Sequence, residues 1–68
     1  MKLIYDKQTD TLSIILRDIP VAESDEIREG IILDYDKEGH IVSLELLDAS
    51  EYVAEPVSVA YELKEASR

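Results

Sequence analysis

Apolar residues in this chain fall in short runs with a two-residue period, which is the signature of strands rather than helices. In Thr11–Arg17, Leu12, Ile14 and Leu16 alternate with Ser13, Ile15 and Arg17. His40–Leu47 repeats the pattern, with Val42, Leu44 and Leu46 on one face. Each run is preceded by a shorter one, Lys2–Asp6 and Gly30–Asp36. The breaks are polar: Lys7-Gln8-Thr9-Asp10 in one case and Lys37-Glu38-Gly39 in the other. Gly39 suits a turn position with positive φ. Pro20 ends the first unit, because proline cannot donate to a central ladder. The pattern predicts two β-hairpins.

The hairpins are related in sequence. Tyr5-Asp6-Lys7 lies over Tyr35-Asp36-Lys37 at an offset of 30 residues, and without a gap Ser13, Leu16 and Asp18 fall on Ser43, Leu46 and Asp48. Leu12/Val42 and Ile14/Leu44 are conservative matches. Val21-Ala22-Glu23 recurs as Val53-Ala54-Glu55 at an offset of 32. Such self-similarity marks one structural unit used twice, in copies at about residues 3–18 and 33–48.

The remaining segments are less regular. Val21–Glu29 is polar, with either a short edge strand near Val21–Ser24 or a helical turn capped at Ser24. Ala49–Tyr52 reads as a turn or one short helical turn, stopped before Pro56. Beyond Pro56, Val57, Val59, Tyr61 and Leu63 alternate with Ser58, Ala60, Glu62 and Lys64, the period of a further strand; a helix over Ala60–Ser67 is the competing expectation. The fold expected is a single mainly β domain over residues 1–68: an antiparallel sheet from two related hairpins plus a C-terminal strand. A small α+β arrangement is the variant if the C-terminal segment is helical.

Size and charge narrow the function. The chain has 68 residues, and no cysteine for a disulfide, a thiolate nucleophile or cysteine-ligated zinc. Domains this short rarely bury enough surface to be robust alone, so oligomerisation is the default expectation. Ile15, Ile32, Ile41 and Leu47 fall on faces opposite the expected core. With Tyr61, they are the residues expected at a homodimer interface. Seven Lys and Arg against sixteen Asp and Glu give a net charge of −9. That repels phosphate backbones and anionic membranes, and favours a basic protein partner. With neither a signal-like apolar run near Met1 nor a segment long enough to span a bilayer, a cytoplasmic location is expected.

Candidate chemistry is sparse. Asp34-Tyr35-Asp36-Lys37-Glu38-Gly39 with Glu45 has the spacing of the twelve-residue calcium loop of EF-hand proteins, placing acidic oxygens at Asp34, Asp36, Glu38 and Glu45. The strand-rich flanks argue against that motif, which needs helices. His40 has no second His or Cys to share a metal or a proton relay with. Carboxylate pairs such as Asp34/Asp36, Asp25/Glu26 and Glu45/Asp48 are frequent simply because acids are frequent. Ser13 and Ser43 have no base to activate them. No cofactor site and no enzymatic activity are expected.

Taken together, Tyr5-Asp6 with Asp10, Leu12-Ser13-Ile14-Ile15-Leu16, Glu23-Ser24, Gly30-Ile31-Ile32-Leu33-Asp34-Tyr35-Asp36, Gly39, Ile41-Val42 and Leu46-Leu47-Asp48-Ala49-Ser50 resemble the small prokaryotic proteins grouped as domain of unknown function 2283. The resemblance covers about residues 3–50. It implies a small β-rich prokaryotic domain, and it carries no catalytic or binding residues with it. It is also compatible with a paired system of small proteins such as a toxin and its antitoxin. The expected function is a non-enzymatic, self-associating interaction module. The alternatives are calcium binding through Asp34, Asp36, Glu38 and Glu45, and a small hydrolase with an acidic site shared between subunits.

Overall fold

The computed structural model describes residues 1–66. Its strands are β1 (Lys2–Asp6), β2 (Thr11–Ile15), β3 (Glu23–Arg28), β4 (Ile31–Tyr35) and β5 (Ile41–Leu46), followed by one 3-10 turn at Ala49–Glu51. They form a single antiparallel sheet in the order β1-β2-β5-β4-β3. The architecture is mainly β, and each of the two repeat-related hairpins forms where the alternation places it.

The repeats are arranged about a local two-fold axis. In the central pair, Ile14 lies opposite Leu44, its own repeat mate. Leu12 lies opposite Leu46, the mate of Leu16, and Ile15 opposite Ser43, the mate of Ser13. A dyad through Ile14 and Leu44 therefore exchanges β1–β2 with β4–β5. The third strand of the second half, β3, has no counterpart outside β1.

Because side chains alternate across a sheet, the register sorts them into two faces. On one face Leu3, Ile14, Leu44 and Leu33 form a continuous aliphatic row across four strands, ending at Asp25. A parallel row holds Tyr5, Leu12, Leu46 and Ile31. On the other face run Lys2, Ile15, Ser43, Asp34 and Ser24, with Ile4, Ser13, Glu45, Ile32 and Glu26 beside them.

Few of these side chains leave solvent. The buried apolar residues are Leu12, Val42 and Ala49; in the Leu3–Leu33 row Ile14, Leu44 and Leu33 are partly buried and Leu3 is 41% exposed. The strands pack against their sheet neighbours, and no second layer of regular structure lies over either face among the described residues. The radius of gyration is 13.8 Å, against about 11 Å for a compact chain of this length.

The structure corrects three expectations. First, no C-terminal strand forms over Val57–Lys64: this stretch has no regular structure, and the described part of the alternative helix, 60–66, has none either. Pro56 offers no N–H, and Ser58 N donates to Glu55 O at 3.0 Å, closing a turn that diverts the chain. Second, Ser24–Ile27 is strand rather than helical turn. β3 runs from Glu23 to Arg28, longer than the expected edge strand, because Gly30 (φ 83°) turns it back onto β4. Third, Ile41 does not share a face with Ile15 and Ile32. Asp34 pairs with Ser43 but Tyr35 pairs with Ile41, so Val42 is an inserted bulge residue. The bulge turns Ile41 to the Tyr35 side of the sheet. The helical turn expected near Ala49 is present.

Candidate functional site

Two polar clusters and one apolar row stand out. The more enclosed cluster is centred on Asp34 of β4, which is 5% exposed. Register delivers Ser24 from β3 on one side and Ser43 from β5 on the other. Ser24 Oγ donates to Asp34 Oδ1 at 2.6 Å, and Ser43 Oγ donates to Asp34 Oδ2 at 2.6 Å. Burial pushes the Asp34 carboxyl up. The hydrogen bonds from Ser24, Ser43 and Glu45 outweigh that and hold it below the usual range. Glu45, one residue pair along β5, is shifted the other way. Its hydrogen bond with Asp34, then burial, then the Asp34 charge favour its protonated form. The pair is thus arranged as an ionised Asp34 beside a Glu45 that protonates readily.

The second cluster fastens the C-terminal turn to the first hairpin. Asp10, in the left-handed conformation (φ 54°), accepts the Tyr5 hydroxyl at 2.6 Å and the Ser50 hydroxyl at 2.6 Å. Ser50 N also donates to the Asp10 carboxylate, and Ala49 N to Asp10 O at 2.8 Å. Hydrogen bonds from Ser50 and then Tyr5 hold the Asp10 carboxyl down, and the same bond raises the Tyr5 phenol. Nothing local in the sequence links Asp10 to Ser50, forty positions away. The sequence did place Asp10 in the turn Lys7–Asp10 and Tyr5 at the end of the strand before it.

The four residues of the calcium-like spacing do not gather at one point: only Asp34 and Glu45 are neighbours. Asp34 and Glu45 sit on the sheet. Asp36 lies in the β4–β5 turn, where its Oδ1 accepts Glu38 N and His40 N, each at 2.9 Å. The His40 N–H first, against an upward push from burial, then Glu38 N–H and the His40 charge hold the Asp36 carboxyl down. Glu38 is exposed. Among the described residues no three His, Cys, Asp or Glu side chains are grouped to hold a metal ion. The strand flanks explain this: the hairpin keeps Asp34 on the β4 arm, Asp36 and Glu38 at the turn and Glu45 on the β5 arm, where a calcium loop would wrap all four around one point.

Of the residues expected at an interface, Ile15 and Ile32 flank the Asp34 cluster, and Ile41 stands beside Tyr35 on the opposite face. Leu47 follows β5, its N–H donating to Gly30 O at 2.8 Å. Tyr61 is 78% exposed in the segment after Pro56. The alternation of Leu12, Ile14, Leu44 and Leu46 predicted a core face. What sequence reasoning missed is that, among the described residues, no second layer of regular structure covers this face. Among the described residues no helix is long and apolar enough to cross a membrane.

No curated protein and no solved structure matches the chain. One family model, described as a protein of unknown function, matches residues 2–50, a span that takes in all five strands, both hairpin turns, and the Asp34 and Asp10 clusters. The chain belongs to that family, DUF2283.

Proposed function

We propose that this protein is a non-enzymatic module that self-associates through the apolar face of its sheet. The observation that carries this reading is the Leu3–Ile14–Leu44–Leu33 row, four aliphatic side chains in line with no second layer of regular structure over them among the described residues. A one-layer sheet with an apolar face is stabilised when another layer covers it. Taking such a side chain from full exposure to full burial contributes about 1.5–3 kcal/mol, and each partly buried member of the row gains a fraction of that when covered. Asp34, the most enclosed carboxylate, already has a serine hydroxyl on each oxygen. That supports a structural task for it over general acid–base chemistry.

Light scattering across a concentration series tests the proposal. The expected result is a dimer at micromolar concentration, and a monomer with an unchanged far-ultraviolet dichroism spectrum for Leu44→Glu. If Leu44→Glu unfolds the chain, Leu3→Glu at the half-exposed end of the row is the substitute. A wild-type chain that stays monomeric at every concentration overturns the reading.

A second reading rests on β3. All six of its residues are exposed, and Glu23, Asp25, Glu26 and nearby Glu29 make this edge strongly acidic. A basic protein would meet the module here, and their complex would weaken as salt screens the charges. Binding that is indifferent to salt counts against it.

A further inference from the structure

The two edges of the sheet are guarded differently. β3 carries three acidic residues among its first four and a bulge at Ile27, both devices that discourage strand addition. β1 carries only Lys2 and Asp6, at its two ends, with Leu3 and Ile4 exposed between them. Elsewhere the chain holds an unused strand. Val57, Val59, Tyr61 and Leu63 are 64–79% exposed, the most exposed large apolar residues apart from Met1. They alternate with Ser58, Ala60, Glu62 and Lys64, and stand outside every ladder.

The local two-fold axis connects the two. In the second half of the sheet, Val21-Ala22-Glu23 leads into β3, and Ala22 N donates to Tyr35 O at 2.7 Å as β3 joins β4. The repeat mates are Val53-Ala54-Glu55 and Tyr5. The axis therefore places a sixth strand, led in by Val53-Ala54-Glu55, along the outer edge of β1. Within one chain that path is interrupted where β3 would begin its pairing: Pro56 has no N–H, and the turn from Glu55 to Ser58 throws the following residues outward.

We propose that the outer edge of β1 receives the Val57–Leu63 segment of a second copy, so that two chains exchange strands and each sheet gains a sixth. This rests on the self-association proposed above and names a segment that takes part in it. The dyad's own register would set Pro56, which has no N–H, against Ile4; four residues along, clear of Pro56, antiparallel addition has a favourable register. With Lys2 opposite Glu62, Leu3 meets Tyr61, Ile4 meets Ala60, Tyr5 meets Val59 and Asp6 meets Ser58. Opposite charges and apolar pairs then coincide. Moving the segment by two residues one way sets Lys2 against Lys64; moving it the other way sets Asp6 against Pro56. In the favourable register Tyr61 prolongs the Leu3–Ile14–Leu44–Leu33 row, and the exchanged strand widens the apolar face.

The absence of cysteine allows a direct test. Full-length Leu3→Cys and Tyr61→Cys chains are mixed and bridged with a short bis-maleimide. Both positions are exposed enough to leave folding intact. The mixed 3–61 product is expected roughly tenfold or more faster than the 3–3 or 61–61 products, because paired positions meet at an effective concentration far above bulk. Lys2→Glu should slow it, and Lys2→Glu with Glu62→Lys should restore it; failure to restore overturns the register. A Leu3→Cys/Tyr61→Cys chain that closes within a monomer overturns the exchange. A dimer that Leu44→Glu dissociates but that gives no 3–61 product also overturns the exchange, and leaves self-association standing. A monomer throughout removes both.

Discussion

The hairpins β1–β2 and β4–β5 are related by the local dyad and begin alike, with Tyr-Asp-Lys, yet they close differently. In both, the Asp after the Tyr seats the turn. Asp6 Oδ1 accepts Gln8 N at 3.0 Å, and Asp36 Oδ1 accepts Glu38 N at 2.9 Å. The left-handed residue differs. It is Gly39 (φ 85°) in the second hairpin and Asp10 (φ 54°) in the first. Glycine is the least strained choice, but it has no side chain to offer. Aspartate bears some strain and supplies the carboxylate that holds Tyr5 and Ser50. The reverse trade occurs on the strands. Asp34, with its two serine hydroxyls, stands at the position that Ile4 occupies in the first hairpin. Two copies of one backbone have thus divided their tasks. The first fastens the C-terminal turn, and the second holds the enclosed polar row.

Making each hairpin resemble its mate should expose that division. The largest effect is expected from Asp34→Ile. It leaves the buried Ser43 hydroxyl without its partner and costs about 1–3 kcal/mol in denaturant unfolding. Asp34→Ile with Ser43→Ala removes both members and should recover most of the loss. A double variant no more stable than the single one would show that Asp34 acts through something other than this bond. Gly39→Ala comes next. An added Cβ meets nothing within 4 Å, so the cost is that of the left-handed backbone alone, about 1–2 kcal/mol. Gly39→Asn should cost less, as asparagine tolerates that conformation.

The smallest effect is a change in the shape of the pH profile. Glu45, whose mate is Ile15, is held above its ordinary value, so its contribution is present at low pH and lost as pH rises through the raised value. Asp34, Asp10 and Asp36 are held down, so theirs is lost as pH falls below the ordinary carboxylate range. Stability should therefore rise slightly from neutral into mildly acidic solution before it falls. Glu45→Ile should abolish the rise and keep the fall. Thermal melts in steps of pH would read this, and a wild-type profile that only declines with acid would contradict it.

The hairpins were legible because alternation and turn chemistry agree there: Leu12, Ile14 and Leu16 on one side, and Asp or Gly at each bend. β3 was only half legible. Glu23–Arg28 has no apolar alternation, and it becomes a strand because Gly30 folds it back on β4, a tertiary cause. Val57–Leu63 shows the opposite mismatch. Its alternation is that of a strand, but strand formation needs a paired edge, and within the single chain this segment stands outside every ladder. The Asp34 cluster was hidden by the Val42 bulge. The Asp34–Ser43 pairing depends on a residue inserted in β5, and a periodicity count does not see insertions. The carboxylates that resembled a calcium loop were visible, and their separation follows from the register.

The dyad through Ile14 and Leu44 also bears on how such a sheet could have originated. A peptide about half this length, a hairpin followed by a Val-Ala-Glu strand, would pair with its twin through the second strand and build the same central ladder. Duplicating its gene and joining the copies through Glu29 and Gly30 turns that two-chain assembly into one chain. The fused chain is then free to let its halves drift apart in chemistry, as Ile4 and Asp34 have.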